Sequence, residues 1–194
     1  MQYPLSLSFK ILAIAPQISI RDSAGQLRMY VKQKAFKLKE AVTVFADEQQ
    51  TRPLFHMNAD RVIDFRARYH FTDANNQYLG SIKRQGARSI WRARYDIEFN
   101  DQVVATLQEE NPWMKVADAL FSEIPLVGMF TGYVFNPAYS VTTPDGRVVM
   151  RLVKEPAFLE GKFRIEETMN IPEQDEARII LGMLMMLLLE RRRG

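Results

Sequence analysis

The sequence predicts a mainly β protein whose strands close into a barrel around a hydrophobic C-terminal helix. Most of the chain alternates apolar and polar residues with a period of two, as strands with one buried and one solvated face do. The chain then carries 11 uninterrupted apolar residues, 179–189, which as a helix would need apolar cover on every side. A closed barrel supplies that cover and leaves no exposed sheet edge.

The strands are predicted from this alternation and from polar turn sequences. Residues 5–11, 63–71 and 91–99 alternate most clearly, and Lys10 interrupts the first run, which we therefore interpret as a strand and not a secretory signal. Five polar segments each separate two strand-like runs and predict hairpins; they are residues 22–25, 47–50, 73–76, 100–101 and 144–146. This count gives roughly ten to twelve strands. We expect one domain over residues 1–194, since no linker or low-complexity segment divides the chain.

Two helices are predicted in the second half of the chain. Asn111 and Pro112 form an N-cap and first helical position, and the apolar spacing that follows predicts a short amphipathic helix over residues 112–124. The C-terminal helix begins near Pro172 with acidic residues in its first turn and ends before the three arginines 191–193. Both charge groups complement the helix dipole.

Composition argues against several kinds of site. The 194 residues are 47% hydrophobic and carry a net charge of only +3, which demands no nucleic-acid partner. Cysteine is absent, so disulfides and thiolate metal sites are excluded, which suits a reducing cytoplasm. His56 and His70 are the two histidines and lie in separate segments, so we expect no metal and no cofactor. The sequence has no phosphate-binding glycine loop, no nucleophile elbow and no apolar segment long enough to span a bilayer.

Several short motifs follow one another in a strand–turn–strand order, at residues 30–38, 63–65, 69–73, 80–84 and 91–95. They resemble the motifs of LURP-one-related proteins. The acidic lead-in and apolar final helix are similar to those of phospholipid scramblases. Together these features resemble the tubby C-terminal-like superfamily. The resemblance implies a 12-stranded barrel around a central hydrophobic C-terminal helix, with an association with lipids or membranes and no assigned enzymatic chemistry.

Basic residues give the strongest indication of function. Seven of them lie on two predicted strands and on the hairpin between: Arg66, Arg68, Lys83, Arg84, Arg88, Arg92 and Arg94. If these strands are neighbours, the side chains form a patch on the barrel exterior that binds lipid headgroup phosphates. The alternative is a solvated wall partly neutralised by Asp64, Asp96 and Glu98. The aromatic residues fall on the opposite face, so we expect no nucleic-acid ligand.

An uncharged apolar segment, residues 126–139, gives a second indication. Phe130, Tyr133 and Phe135 have the aromatic character that is favoured at a membrane interface. The alternative is an apolar cap over one barrel mouth. Residues 191–193 either contact anionic lipid or complete the helix dipole.

These observations lead to one hypothesis and two alternatives. We expect a non-enzymatic cytoplasmic module, peripheral to the membrane and not spanning it, that binds anionic phospholipid or a protein partner. The first alternative is an enzyme of unknown reaction with a site at one barrel mouth, using His56 or His70. The second is a ligand-carrying barrel, which the C-terminal helix disfavours because it would occupy the lumen.

Overall fold

The computed structural model describes residues 1–10, 17–32, 41–61, 67–86, 93–110, 137–157 and 160–190. These residues contain twelve strands followed by one helix. The elements are β1 (Leu5–Lys10), β2 (Gln17–Arg21), β3 (Leu27–Lys32), β4 (Ala41–Phe45), β5 (Pro53–Ala59), β6 (Arg68–Asp73), β7 (Tyr78–Arg84), β8 (Arg94–Phe99), β9 (Gln102–Glu109), β10 (Ala138–Thr142), β11 (Val148–Glu155), β12 (Glu160–Glu167) and α1 (Glu173–Glu190).

The strands form a closed antiparallel barrel. Each strand pairs with its neighbours in sequence, and β1 closes the ring by pairing with both β2 and β12. Closure removes the unpaired strand edges that would otherwise template association. The prediction of a closed antiparallel barrel of about twelve strands is confirmed.

The period-two alternation reflects the two faces of the barrel wall. Leu7, Phe9, Phe71, Tyr95 and Ile97 are all buried, while their sequence neighbours on the same strands are partly or fully exposed. Successive side chains of a strand point to opposite faces, so the apolar set lines the interior and the polar set faces outward. All five predicted hairpins are present, joining β2–β3, β4–β5, β6–β7, β8–β9 and β10–β11.

The two ends of the barrel differ. The five hairpins lie at one end, which we call the hairpin end, and the other six connections between strands lie at the opposite end. Helix α1 follows β12 from the hairpin end, and its last residue, Glu190, accepts a hydrogen bond from the Tyr95 hydroxyl at 2.6 Å. We call this second end, where β1 ends at Lys10 and β7 ends at Arg84, the rim.

Helix α1 is covered on all sides over three turns. Every residue from 178 to 188 is buried, and the helix contacts β6, β7, β8 and β9. Gly182 sits so close to the wall that a Cβ atom there would lie 2.8 Å from Ile97 Cδ1. The helix begins with hydrogen bonds from the N–H groups of Asp175 and Glu176 to the Pro172 carbonyl. The predicted burial of the apolar run is therefore confirmed as far as residue 188.

One predicted helix cannot be compared with the structure. The amphipathic segment 112–124 lies outside the described residues, within the connection between β9 and β10. The two strands flanking this connection pair directly, from Tyr139 opposite Glu109 onward. Among the described residues, no helix combines the length and apolar character that crossing a bilayer requires.

Candidate functional site

Three of the predicted anion-binding residues share one exterior wall. Arg68 of β6 pairs in register with Lys83 of β7, which in turn pairs with Asp96 of β8. Arg94 lies two residues before Asp96 and therefore on the same face. Neighbouring strands lie about 4.8 Å apart, so these side chains form one continuous surface across β6–β8. We call this surface the β6–β8 wall.

Acidic side chains neutralise part of this wall. The guanidinium of Arg68 forms an ion pair with Glu98 at 2.8 Å, and Asp96 accepts hydrogen bonds from Gln85 and the Thr106 hydroxyl. Lys83 is exposed and has neither an ion pair nor a side-chain hydrogen bond to any described residue. The exposed ammonium group of Lys83 is thus not neutralised by any described residue.

Arg84 faces the interior, and its predicted place on the exterior patch is wrong. Adjacent residues of a strand point to opposite faces, so Lys83 and Arg84 separate. The Arg84 side chain is only 9% exposed and lies 3.7 Å from Glu190 Oε1. Its guanidinium also lies 5.7 Å from the centre of the Tyr95 ring, a cation–π distance. Arg84 therefore fixes the end of α1 against the rim.

A buried polar cluster surrounds this contact at the rim. Glu109 and Tyr139 pair in register on β9 and β10, and both are buried. Burial, reinforced by the carboxylates of Glu109 and Glu190, raises the pKa of Tyr139 well above its ordinary value. Tyr139 therefore remains a neutral hydroxyl at physiological pH. The alternation of Ala105, Leu107 and Glu109 was the sequence signal that Glu109 points inward.

The remaining predicted site residues lie outside the described part of the chain. These are Arg66 and Arg92, together with the aromatic residues Phe130, Tyr133 and Phe135. Arg88 and residues 191–193 lie outside it as well. Their predicted roles in headgroup binding and membrane contact stay predictions.

The sequence of this barrel matches the model of a known protein family. The family model described as LURP-one-related matches residues 27–187. The chain belongs to the LURP-one-related family. The resemblance predicted from short strand motifs is thereby confirmed. No curated protein matches the sequence.

A solved structure supports the fold of this LURP-one-related protein. A protein from Arabidopsis thaliana is 14% identical, with a TM-score of 0.51, and the match covers 98% of this chain and 92% of that one. At this identity the similarity shows the fold alone. A porin-like protein from Bacteroides uniformis is 9% identical, with a TM-score of 0.23 over 86% of this chain and 96% of its own, and carries no argument.

The histidines of the LURP-one-related chain lie on the exterior wall and not at a barrel mouth. His56 Nδ1 is 3.3 Å from the Thr43 hydroxyl, and the His70 ring lies 6.1 Å from that of Tyr78. Neither histidine has a carboxylate partner within hydrogen-bond distance among the described residues. The described residues also contain no group of three or more His, Cys, Asp or Glu that could hold a metal.

A cleft of about 240 Å³ opens at the hairpin end beside the start of α1. Its walls are mainly apolar, with Val104, Val149 and Ile171, and Arg178 contributes a buried guanidinium. That guanidinium donates to the Leu79 carbonyl at 3.0 Å, pairs with Asp175 and lies 4.0 Å from the centre of the Phe99 ring. Arg178 thus joins α1 to the wall and is engaged in structural contacts.

Proposed function

We propose that this LURP-one-related protein is a non-enzymatic β-barrel module that binds anionic phospholipid headgroups at a membrane surface. The observation that carries the proposal is the exposed Lys83, which lacks a counter-ion among the described residues and lies between Arg68 and Arg94. A phosphate accepts charge-assisted hydrogen bonds from such groups. Cytoplasmic location peripheral to a membrane is part of the same proposal.

We propose that the connection between β9 and β10, residues 111–136, assists this binding through its aromatic side chains. The N–H of Glu110 donates to the Ala138 carbonyl at 2.8 Å, so both ends of residues 111–136 leave from the rim. In the proposal, Phe130, Tyr133 and Phe135 enter the bilayer interface, and Arg66 and Arg92 add to the cationic surface. Aromatic side chains are favoured at that depth of a bilayer.

We further propose that α1 runs through the barrel centre and that residues 1–194 form a single domain. Continuous burial from residue 178 to 188 supports the central position, because a helix with no exposed side needs cover in all directions. A central helix leaves no lumen for a carried ligand. The exterior is then the surface on which a headgroup binds.

Vesicle co-sedimentation tests the proposal. The full chain should sediment with vesicles of phosphatidylcholine and phosphatidylserine at low salt, and much less with pure phosphatidylcholine. Lys83→Ala should weaken binding by about fivefold, since one lysine near an anionic surface contributes about 1 kcal/mol. Binding should also decline as salt rises, because exposed charges are screened.

A matched control removes one positive charge from the other end of the molecule. Arg52 lies in the β4–β5 hairpin and its side chain is 74% exposed. Among the described residues, its guanidinium forms only a long 3.8 Å ion pair, with Asp47. Arg52→Ala should bind vesicles within about twofold of the unmodified protein. Negligible sedimentation of the unmodified protein with both vesicle types would overturn the lipid proposal.

The enzyme alternative has one structural observation in its favour. The rim cluster of Arg84, Tyr95, Glu109, Tyr139 and Glu190 places ionisable groups at a barrel mouth. It includes neither histidine that the alternative invoked, and the contact of Arg84 and Tyr95 with Glu190 explains the cluster as an anchor for α1. We therefore favour the binding module.

A further inference from the structure

Four lysines around the rim form no ion pair with any described side chain, and one of them, Lys10, pairs in register with Glu160 of β12. Each occupies one of the last two positions of a strand that ends at the rim: Lys10 of β1, Lys32 of β3, Lys83 of β7 and Lys154 of β11. The remaining described lysine, Lys162, pairs with Glu155 at 3.4 Å. The described lysines that lack ion pairs are therefore confined to one end of the barrel.

Described acidic groups near the rim mostly have basic partners. Ion pairs join Asp60 to Arg61 at 3.3 Å and Glu190 to Arg84 at 3.7 Å. Glu110 pairs with Arg151 at 2.7 Å, and Glu155 pairs with Lys162 at 3.4 Å. Asp96 is hydrogen-bonded to Gln85 and Thr106, and Glu109 is buried. Among the described side chains, the rim lysines thus add net positive charge to this end.

The hairpin end has the opposite character. Four acidic residues there form no ion pair with any described residue: Asp73, Asp101, Glu167 and Glu173. The exposed arginines of the hairpins are paired, as Arg147 is with Asp145 and Arg21 with Glu48. Uncompensated charge in the described residues is therefore positive at the rim and negative at the hairpin end.

The order of the strands around the barrel determines which lysines a flat membrane can contact at the same time. Strands β1 and β7 are six positions apart in either direction around the twelve-stranded ring, so Lys10 and Lys83 lie on opposite walls. A bilayer lying against the β6–β8 wall reaches Lys83 but not Lys10 or Lys32. A bilayer facing the rim reaches lysines on all sides of the ring.

We propose that the barrel docks end-on, with its rim against an anionic bilayer and its hairpin end facing away. This inference rests on the proposed lipid-binding function and specifies its orientation. Twelve strands spaced about 4.8 Å apart and tilted by about 40° make a ring roughly 20–25 Å across. A soluble phosphate contacts one point of such a ring, whereas a bilayer covers the whole of it. Repulsion of the acidic hairpin end from the same surface reinforces the orientation.

Paired lysine variants distinguish end-on from side-on docking. Lys10→Ala combined with Lys32→Ala removes two charges far from the β6–β8 wall, and should weaken sedimentation with phosphatidylserine-containing vesicles by about tenfold to thirtyfold. Arg52→Ala combined with Arg147→Ala removes the same charge from the hairpin end, and should change binding by less than about threefold. Circular dichroism of each variant checks that the barrel is folded.

Fluorescence quenching by brominated lipid measures the orientation of the bound barrel directly. The chain has no cysteine, so a single Gly86→Cys at the rim or Ala74→Cys at the β6–β7 hairpin accepts an environment-sensitive fluorophore. Vesicles containing brominated phosphatidylcholine and phosphatidylserine should quench the label at position 86 and leave that at position 74 unchanged.

The outcomes separate the two proposals. Unmodified protein that fails to bind anionic vesicles removes the proposed function and the orientation with it. Binding that requires Lys83 but is unaffected by loss of Lys10 and Lys32 leaves the function standing and overturns end-on docking. Stronger quenching at position 74 than at position 86 overturns it as well.

Discussion

At the scale of single residues, Gly80 of β7 has the least room for a side chain of the described glycines. Its φ of +140° is one that L side chains rarely adopt, and a Cβ atom there would lie 2.7 Å from the Glu98 carbonyl oxygen. We expect Gly80→Ala to lower the free energy of unfolding by about 2–3 kcal/mol, because strained backbone and a backbone clash combine. Urea denaturation followed by circular dichroism measures the change.

A nearby glycine supplies the control. Gly86 has an ordinary φ, and nothing lies within 4 Å of a Cβ atom built on it. Gly86→Ala should therefore change stability by no more than about 0.5 kcal/mol. Equal urea midpoints for the two alanine variants would contradict the account of Gly80.

Single residues also show where sequence reasoning about the site succeeded and failed. Period-two alternation fixes the exterior face of Arg68 and Arg94, whereas Lys83 was predicted to lie in a hairpin and lies on β7, on the same face. Arg84 was assigned to the same patch because it was predicted to lie in the hairpin between the two basic strands, but it lies on β7, where alternation turns it inward. The partner that holds Arg84, Glu190, lies 106 positions further along the chain, and no local pattern indicates the contact.

At the scale of elements, α1 depends on complete burial. Leu184 is fully buried at the middle of the helix, where an ionised carboxylate would have no partner. Leu184→Asp should therefore destabilise the protein by more than about 4 kcal/mol and leave it unfolded or aggregated. Leu187→Asp should behave in the same way. Near-ultraviolet circular dichroism and a thermal scan measure the loss.

The matching control places the same acid on the same helix. Gln174 is exposed in the first turn, where a negative charge complements the helix dipole. Gln174→Asp should unfold at the temperature of the unmodified protein or slightly above it. A soluble Leu184→Asp variant that unfolds cooperatively at that temperature would end the argument for a buried α1.

Hairpins and strands were predictable from sequence because their signals are local. Each predicted turn separates two runs of alternating residues, and each joins paired strands in the structure. The rim lysines were not predictable as a group. They are spread from position 10 to position 154, and only the ring order brings their strands to one end.

At the scale of the whole molecule, acidification should destabilise the fold. Five carboxyl groups have a pKa below the ordinary value: Asp22, Asp47, Asp60, Glu110 and Asp145. For Asp22, burial raises the pKa, but the Gln26 N–H and the Arg28 guanidinium outweigh it; for Glu110, the hydrogen bond from Arg151 is the main cause. Such groups stabilise the folded state above their unfolded pKa of about 4, and the stabilisation is lost as pH falls through the lower folded values.

The expected urea midpoint is therefore nearly constant from pH 7 to pH 5 and falls below about pH 4. Asp22→Asn should flatten that fall by removing one titrating group whose pKa is lowered in the folded state. Urea titrations of the unmodified protein and of Asp22→Asn at a series of pH values check this expectation. A midpoint that rises on acidification would show that the assigned directions are wrong.

The connection between β9 and β10 has a consequence for engineering and for divergence among related chains. Those two strands are hydrogen-bonded neighbours on either side of residues 111–136, so the wall is continuous at that position. We expect that interval to accept a short loop, an epitope or a foreign domain with the pairing of β9 and β10 retained.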